Sequence, residues 1–129
     1  VVEHSGGCHC GAVSWIVLAP ESLNVIRCNC SVCRKKQNDH FIVSSTCFHL
    51  LQGENALTTY TFNTGVAQHS FCRFCGVQSF YIPRSNPSDV AVMPHCIDSP
   101  TIRSMRLSSF DGVNWEQTME VSPPVPFHQ

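Results

Sequence analysis

A chain of 129 residues with 43% hydrophobic and 13% charged side chains has the length and apolar content of one folded domain, which excludes a disordered segment. Eight Lys and Arg against nine Asp and Glu leave a formal charge of −1, so no cationic excess exists to hold a nucleic-acid backbone or an anionic membrane surface. No apolar run approaches the roughly 20 residues that cross a bilayer, and residues 1–7 lack the basic-then-apolar pattern of a secretory signal. A cytosolic or nuclear protein is expected, with neither membrane nor direct nucleic-acid partner.

Along the chain, β-branched and aromatic residues at alternate positions predict strands over 12–18 and 23–27. A short helix over 31–39 follows, with Ser31 as its cap. Strands resume over 41–44, 57–62, 68–71, 77–82 and 90–93, separated by glycines and by the Pro-containing stretch 83–87. Beyond Pro100 the pattern weakens to a turn or two of helix over 115–120. The run Pro123-Pro124-Val125-Pro126 suits neither a helix nor a central strand. The expectation is one all-β domain over 1–129, built of short antiparallel strands with little helix. Its core spans about 6–100 and an irregular tail spans 101–129.

Nine cysteines in so short a chain mean either a disulfide framework or metal binding. The count is odd, and seven of them cluster as Cys8-His9-Cys10, Cys28-Asn29-Cys30-Ser31-Val32-Cys33 and Cys72-Arg73-Phe74-Cys75. Disulfide frameworks spread cysteines to tie distant segments together, whereas a metal draws several thiolates from one short loop to within about 2.3 Å of a point. Without a secretory signal, metal is the expected answer. Zinc takes four protein ligands in a closed structural site and three in a site that keeps an open position. Seven thiolates then divide into the compact triplet Cys28, Cys30 and Cys33 and the quartet Cys8, Cys10, Cys72 and Cys75, for two zinc ions per chain. A fourth ligand would instead close the triplet, and His40, His69, His95, Cys47 and Cys96 are the candidates for it.

These stretches also carry a family resemblance. Gly6-Gly7-Cys8-His9-Cys10-Gly11, Cys28-Asn29-Cys30-Ser31-Val32-Cys33-Arg34-Lys35 and Phe71-Cys72-Arg73-Phe74-Cys75-Gly76 resemble the glutathione-dependent formaldehyde-activating enzyme family. Ile97-Asp98-Ser99-Pro100 is similar to a Leu-Asp-Asp-Pro stretch late in that domain. Residues 35–38, 40–43, 59–64 and 77–81 most resemble the animal branch named for centromere protein V. The resemblance implies a zinc-stapled β-tent, with a structural zinc on Cys8, Cys10, Cys72 and Cys75 and a catalytic zinc on Cys28, Cys30 and Cys33. It further implies addition of glutathione, as co-substrate, to formaldehyde to give S-hydroxymethylglutathione, classed in reverse as a carbon–sulfur lyase. On that reading glutathione's sulfur enters the open position as a thiolate and attacks the aldehyde carbon.

Glutathione is an anion, and Arg34, Lys35 and Lys36 directly follow the third ligand, which makes them candidates to hold its carboxylates. His40, His69 and His95 are candidate proton carriers. Cys47 and Cys96, outside the three motifs, read as plain buried thiols. The centromere-branch resemblance raises a second class of function, a non-catalytic zinc scaffold for a chromatin or cytoskeletal partner. Against it, the chain lacks the long basic or Pro-rich arm that docks by charge. The triplet separates the two: open to solvent it favours the enzyme, closed by a fourth ligand it favours the scaffold.

Overall fold

Strand alternation is clearest in β2 (Ser14–Ala19), where Trp15, Val17 and Ala19 are fully buried and the residues between them are half-exposed. The computed structural model describes residues 1–129 and makes β2 the centre of an antiparallel sheet, flanked by β1 (Val2–Gly7) and β5 (Phe48–Gln52). Trp15 is the largest side chain of the core, and its indole N–H donates to Ser79 Oγ at 3.0 Å. Truncating so large a buried aromatic typically costs about 3–5 kcal/mol.

The remaining strands form a second wall of three small sheets joined by isolated bridges. β3 (Ser22–Cys28) pairs with β10 (Ser104–Phe110), and a bridge from Ile26 to His40 links β3 to the start of β4 (Phe41–Ser44). β4 pairs antiparallel with β9 (Asp89–Val92), and β9 with β8 (Phe80–Tyr81). A bridge from Gln68 to Ile82 then joins this sheet to the hairpin of β6 (Leu57–Tyr60) and β7 (His69–Cys72). Cys28, His40, His69 and Tyr81 sit at or beside strand ends along this wall. Two short helices complete the fold, α1 (Ser31–Lys36) after β3 and α2 (Trp115–Val121) after β10.

The all-β expectation holds. The seven expected strands are all present, most within two residues of the predicted ends, although 77–82 shrinks to Phe80–Tyr81. Three strands carry too weak a signal to be predicted. Gly6 and Gly7 in β1 read as turn residues, yet their missing side chains permit close approach: a Cβ on Gly6 would lie 2.1 Å from the Cys96 carbonyl oxygen. That approach lets Ser5 accept the Asp98 N–H at 2.8 Å, fastening β1 to the Ile97-Asp98-Ser99-Pro100 stretch. β5 is half-exposed to exposed throughout.

The stretch expected to be an irregular tail, 101–129, contains β10 and α2. β10 is also the exception to antiparallel pairing, since it runs parallel to β3 over seven residues. Six of those seven residues are exposed, so no apolar alternation marks the strand, and its place comes from the backbone ladder to β3. The final prolines flank a further short pairing, in which Phe127 donates to Ile42 O at 2.9 Å and accepts from Ser44 N at 2.7 Å. This is an edge position, where proline's missing donor costs nothing. The helix expected over 31–39 ends at Lys36 because Gln37 turns left-handed, with φ 56°. Cys30, not Ser31, occupies its N-cap position.

Candidate metal centres and active site

Cys8, Cys10, Cys72 and Cys75 bring their sulfurs within 4.8 Å of one another. Cys10 Sγ lies 3.7 Å from Cys8 Sγ and 3.6 Å from Cys72 Sγ. A tetrahedron of sulfurs at about 2.3 Å from a metal has edges of about 3.8 Å, so the quartet is already shaped for one ion. Backbone donors point at it: the Val13 N–H donates to Cys8 Sγ at 3.3 Å, and the N–H groups of Cys10 and Val77 lower the Cys75 thiol to about 6. Donors aimed at sulfur favour the thiolate, the form a metal requires.

Cys28, Cys30 and Cys33 gather equally closely, within 4.8 Å. Cys28 ends β3, Cys30 caps α1 and Cys33 lies in its first turn, so one strand-to-helix corner supplies all three. Three sulfurs so near cannot all ionise without a cation. Hydrogen bonds from Cys28 and then Cys33 hold the Cys30 thiol far below its ordinary value, while sharing with Cys30 raises Cys28, and sharing with Cys28 and then Cys30 raises Cys33. Asn38 supports the corner, its Nδ2 lying 3.6 Å from Cys33 Sγ, and Gln78 in turn donates to Asn38 Oδ1 at 2.9 Å. No fourth ligand joins: neither His40, His69, His95, Cys47 nor Cys96 places a donor atom in the cluster. Cys47 and Cys96 are buried apart from both clusters, and burial pushes the Cys96 thiol up to about 11.

The triplet opens into a cavity of about 390 Å³. That is the size of a site for a small molecule, or for one end of a larger one. His40, His69 and Tyr81 form one wall. His40 Nδ1 donates to Asn38 O at 2.8 Å, which leaves Nε2 to accept from Tyr81 Oη at 3.3 Å. The His69 ring stacks on Tyr81 with centroids 4.7 Å apart, and its buried Nδ1 has no hydrogen-bond partner. Burial lowers both imidazoles and raises the Tyr81 phenol well above its usual range, so all three rings are neutral at neutral pH. His95 is exposed and does not line the cavity.

Other lining residues are ones that no spacing rule singles out. Arg84 lies within the 83–87 stretch, which reads in the sequence only as punctuation. Gly112 and Trp115 follow β10. A Cβ on Gly112 would lie 2.4 Å from Cys28 Sγ, so only glycine lets this segment close over the triplet. Asn29 locks it there, its Oδ1 accepting from Val113 N at 3.0 Å and its Nδ2 donating to Asp111 at 2.9 Å. Arg34, Lys35 and Lys36 are exposed on α1 and none lines the cavity.

A sequence model described as the glutathione-dependent formaldehyde-activating enzyme matches residues 3–110. Among solved structures, the crystal structure of a Rhodobacter sphaeroides protein is similar at 30% sequence identity and a TM-score of 0.67, covering 79% of this chain and 99% of that one.

Proposed function

Because the chain belongs to the glutathione-dependent formaldehyde-activating enzyme family, we propose that it is a zinc enzyme that adds a small thiol to formaldehyde and catalyses the reverse, carbon–sulfur lyase reaction. One observation carries this reading: Cys28, Cys30 and Cys33 form a three-sulfur cluster with no fourth protein ligand, open to a cavity. Cys8, Cys10, Cys72 and Cys75, closed by four sulfurs, hold a second zinc whose role is structural.

When bound at the triplet, zinc supplies Lewis acidity that lowers the pKa of a thiol and polarises a carbonyl. The chain's own residues direct the rest. In the addition, a carbon–sulfur bond forms as the carbonyl π bond breaks, and the thiol proton ends on the new hydroxyl oxygen. His69, neutral through burial, is the cavity base that takes that proton and returns it to oxygen. Tyr81, held protonated, donates its one O–H to His40 Nε2 and holds the ring on which His69 stacks, which fixes the base in the cavity. Ile26, Phe62 and Phe110 give the cavity apolar surface that displaces competing water. The reading is tested by proton NMR on formaldehyde, glutathione and zinc-loaded protein, which should show hydroxymethyl exchange accelerated over the uncatalysed background. No acceleration across several thiols would leave a scaffold role ahead.

A further inference from the structure

The cavity is electrostatically one-sided in a way the proposed chemistry does not use. Among its lining residues there is no Asp or Glu, and Arg84 is the only Lys or Arg. The protein's single ion pair, Arg27 with Asp39, lies elsewhere, and the Arg84 side chain has no hydrogen-bond partner within the protein. Its guanidinium instead lies over the Trp115 indole, 3.7 Å from the ring centroid. Stacking satisfies one face of a guanidinium and leaves its in-plane N–H fork free, and that fork fits a carboxylate with two parallel hydrogen bonds.

The surroundings hold Arg84 in place. Pro83 fixes the preceding backbone, and two residues on, Asn86 donates to Pro124 O at 3.3 Å, tying this loop to the closing segment of the chain. Trp115 begins α2, which follows the Gly112 crossing over Cys28, so the same segment that covers the triplet also carries the platform for Arg84. Trp115 lies outside the matched residues 3–110, so family membership assigns no role to this pair.

We propose that Arg84, stacked on Trp115, is the anion-binding residue of this cavity, selecting thiols that carry a carboxylate in preference to neutral ones. The proposal rests on the thiol-addition reading for its substrate, but it makes a binding claim that stands apart from turnover. Arg84 acts by holding the carboxylate while the sulfur faces Cys28, Cys30 and Cys33, and takes no part in bond making. Arg34, Lys35 and Lys36, outside the cavity, then serve at most to raise the local concentration of anions.

The test compares wild type with Arg84→Gln and Arg84→Lys, each checked for unchanged circular dichroism and metal content. With formaldehyde, Arg84→Gln should raise KM about 10- to 100-fold for glutathione and mercaptoacetate, leave kcat within about twofold, and leave KM for uncharged 2-mercaptoethanol unchanged. Arg84→Lys should recover part of the loss, because it restores charge without the fork. Calorimetry with S-methylglutathione, which cannot react, gives a readout independent of catalysis. Wild type should bind it, and Arg84→Gln should weaken that binding by a similar factor, with the difference shrinking at high salt. If no thiol turns over but this binding difference persists, the catalytic reading fails and the anion site stands. Equal losses for charged and neutral thiols, absence of binding to wild type, or misfolding of both variants together with charge-blind kinetics in Trp115→Leu would overturn the proposal.

Discussion

The two cysteine clusters offer the same ligand chemistry, and what differs is the chain around them. The quartet joins two pairs far apart in the chain, Cys10 meeting Cys72 across 62 residues of sequence, and four sulfurs complete a tetrahedron. The triplet is local, drawn from one strand-to-helix corner, and it opens on a cavity that Arg84, Gly112 and Trp115 also line. A closed cluster that spans the chain converts metal affinity into stability, whereas a local cluster with an open face stabilises little and leaves a coordination position for chemistry.

The most severe way to break this comparison is to delete one sulfur from each cluster. Metal bound in a closed thiolate site is worth roughly 10 kcal/mol or more, comparable with the whole stability of about 5–15 kcal/mol expected of a domain. Cys72→Ser should therefore lose its cooperative melting transition, while Cys30→Ser should remain folded with one metal fewer and no turnover. Circular dichroism melts read alongside metal analysis decide it, and the reverse order would exchange the roles assigned to the two sites. A milder probe is Gly112→Ala, whose Cβ would sit 2.4 Å from Cys28 Sγ and 3.0 Å from Cys30 Cβ. It should weaken metal held by the triplet, and turnover with it, by about 10- to 100-fold without touching the quartet, as chelator competition would reveal.

The clusters were legible in the sequence because a shared ligand set shows in spacing: two cysteines two or three positions apart can reach one ion. Strands with a buried face were legible for a similar reason, since Trp15, Val17 and Ala19 alternate as their burial requires. The cavity was not. Arg84, Gly112 and Trp115 come together only because β10 pairs with β3, and that pairing is written in backbone hydrogen bonds between exposed residues. The lysines and arginine beside Cys33 are close to the triplet in sequence, but all three are exposed on α1 and none lines the cavity, so proximity along the chain did not bring them into it. The smallest of the expected effects sharpens this point: replacing Arg34 and Lys35 together by Ala should leave KM for glutathione within about twofold and stability within about 0.5 kcal/mol, measured by the same assay and melts.

The parallel pairing of β3 with β10 also sets a schedule. Ser22 and Ser104 are partners 82 residues apart, and Phe110 O accepts from Asn29 N at 3.2 Å across nearly the same interval. Synthesis at about 5–20 residues per second separates the two strands by roughly 4–16 s. During that interval the corner bearing Cys28, Cys30 and Cys33 has been made while the segment that roofs it has not. The residues of the triplet are thus made before Gly112 and Trp115, and the cavity takes shape only once that roof is in place.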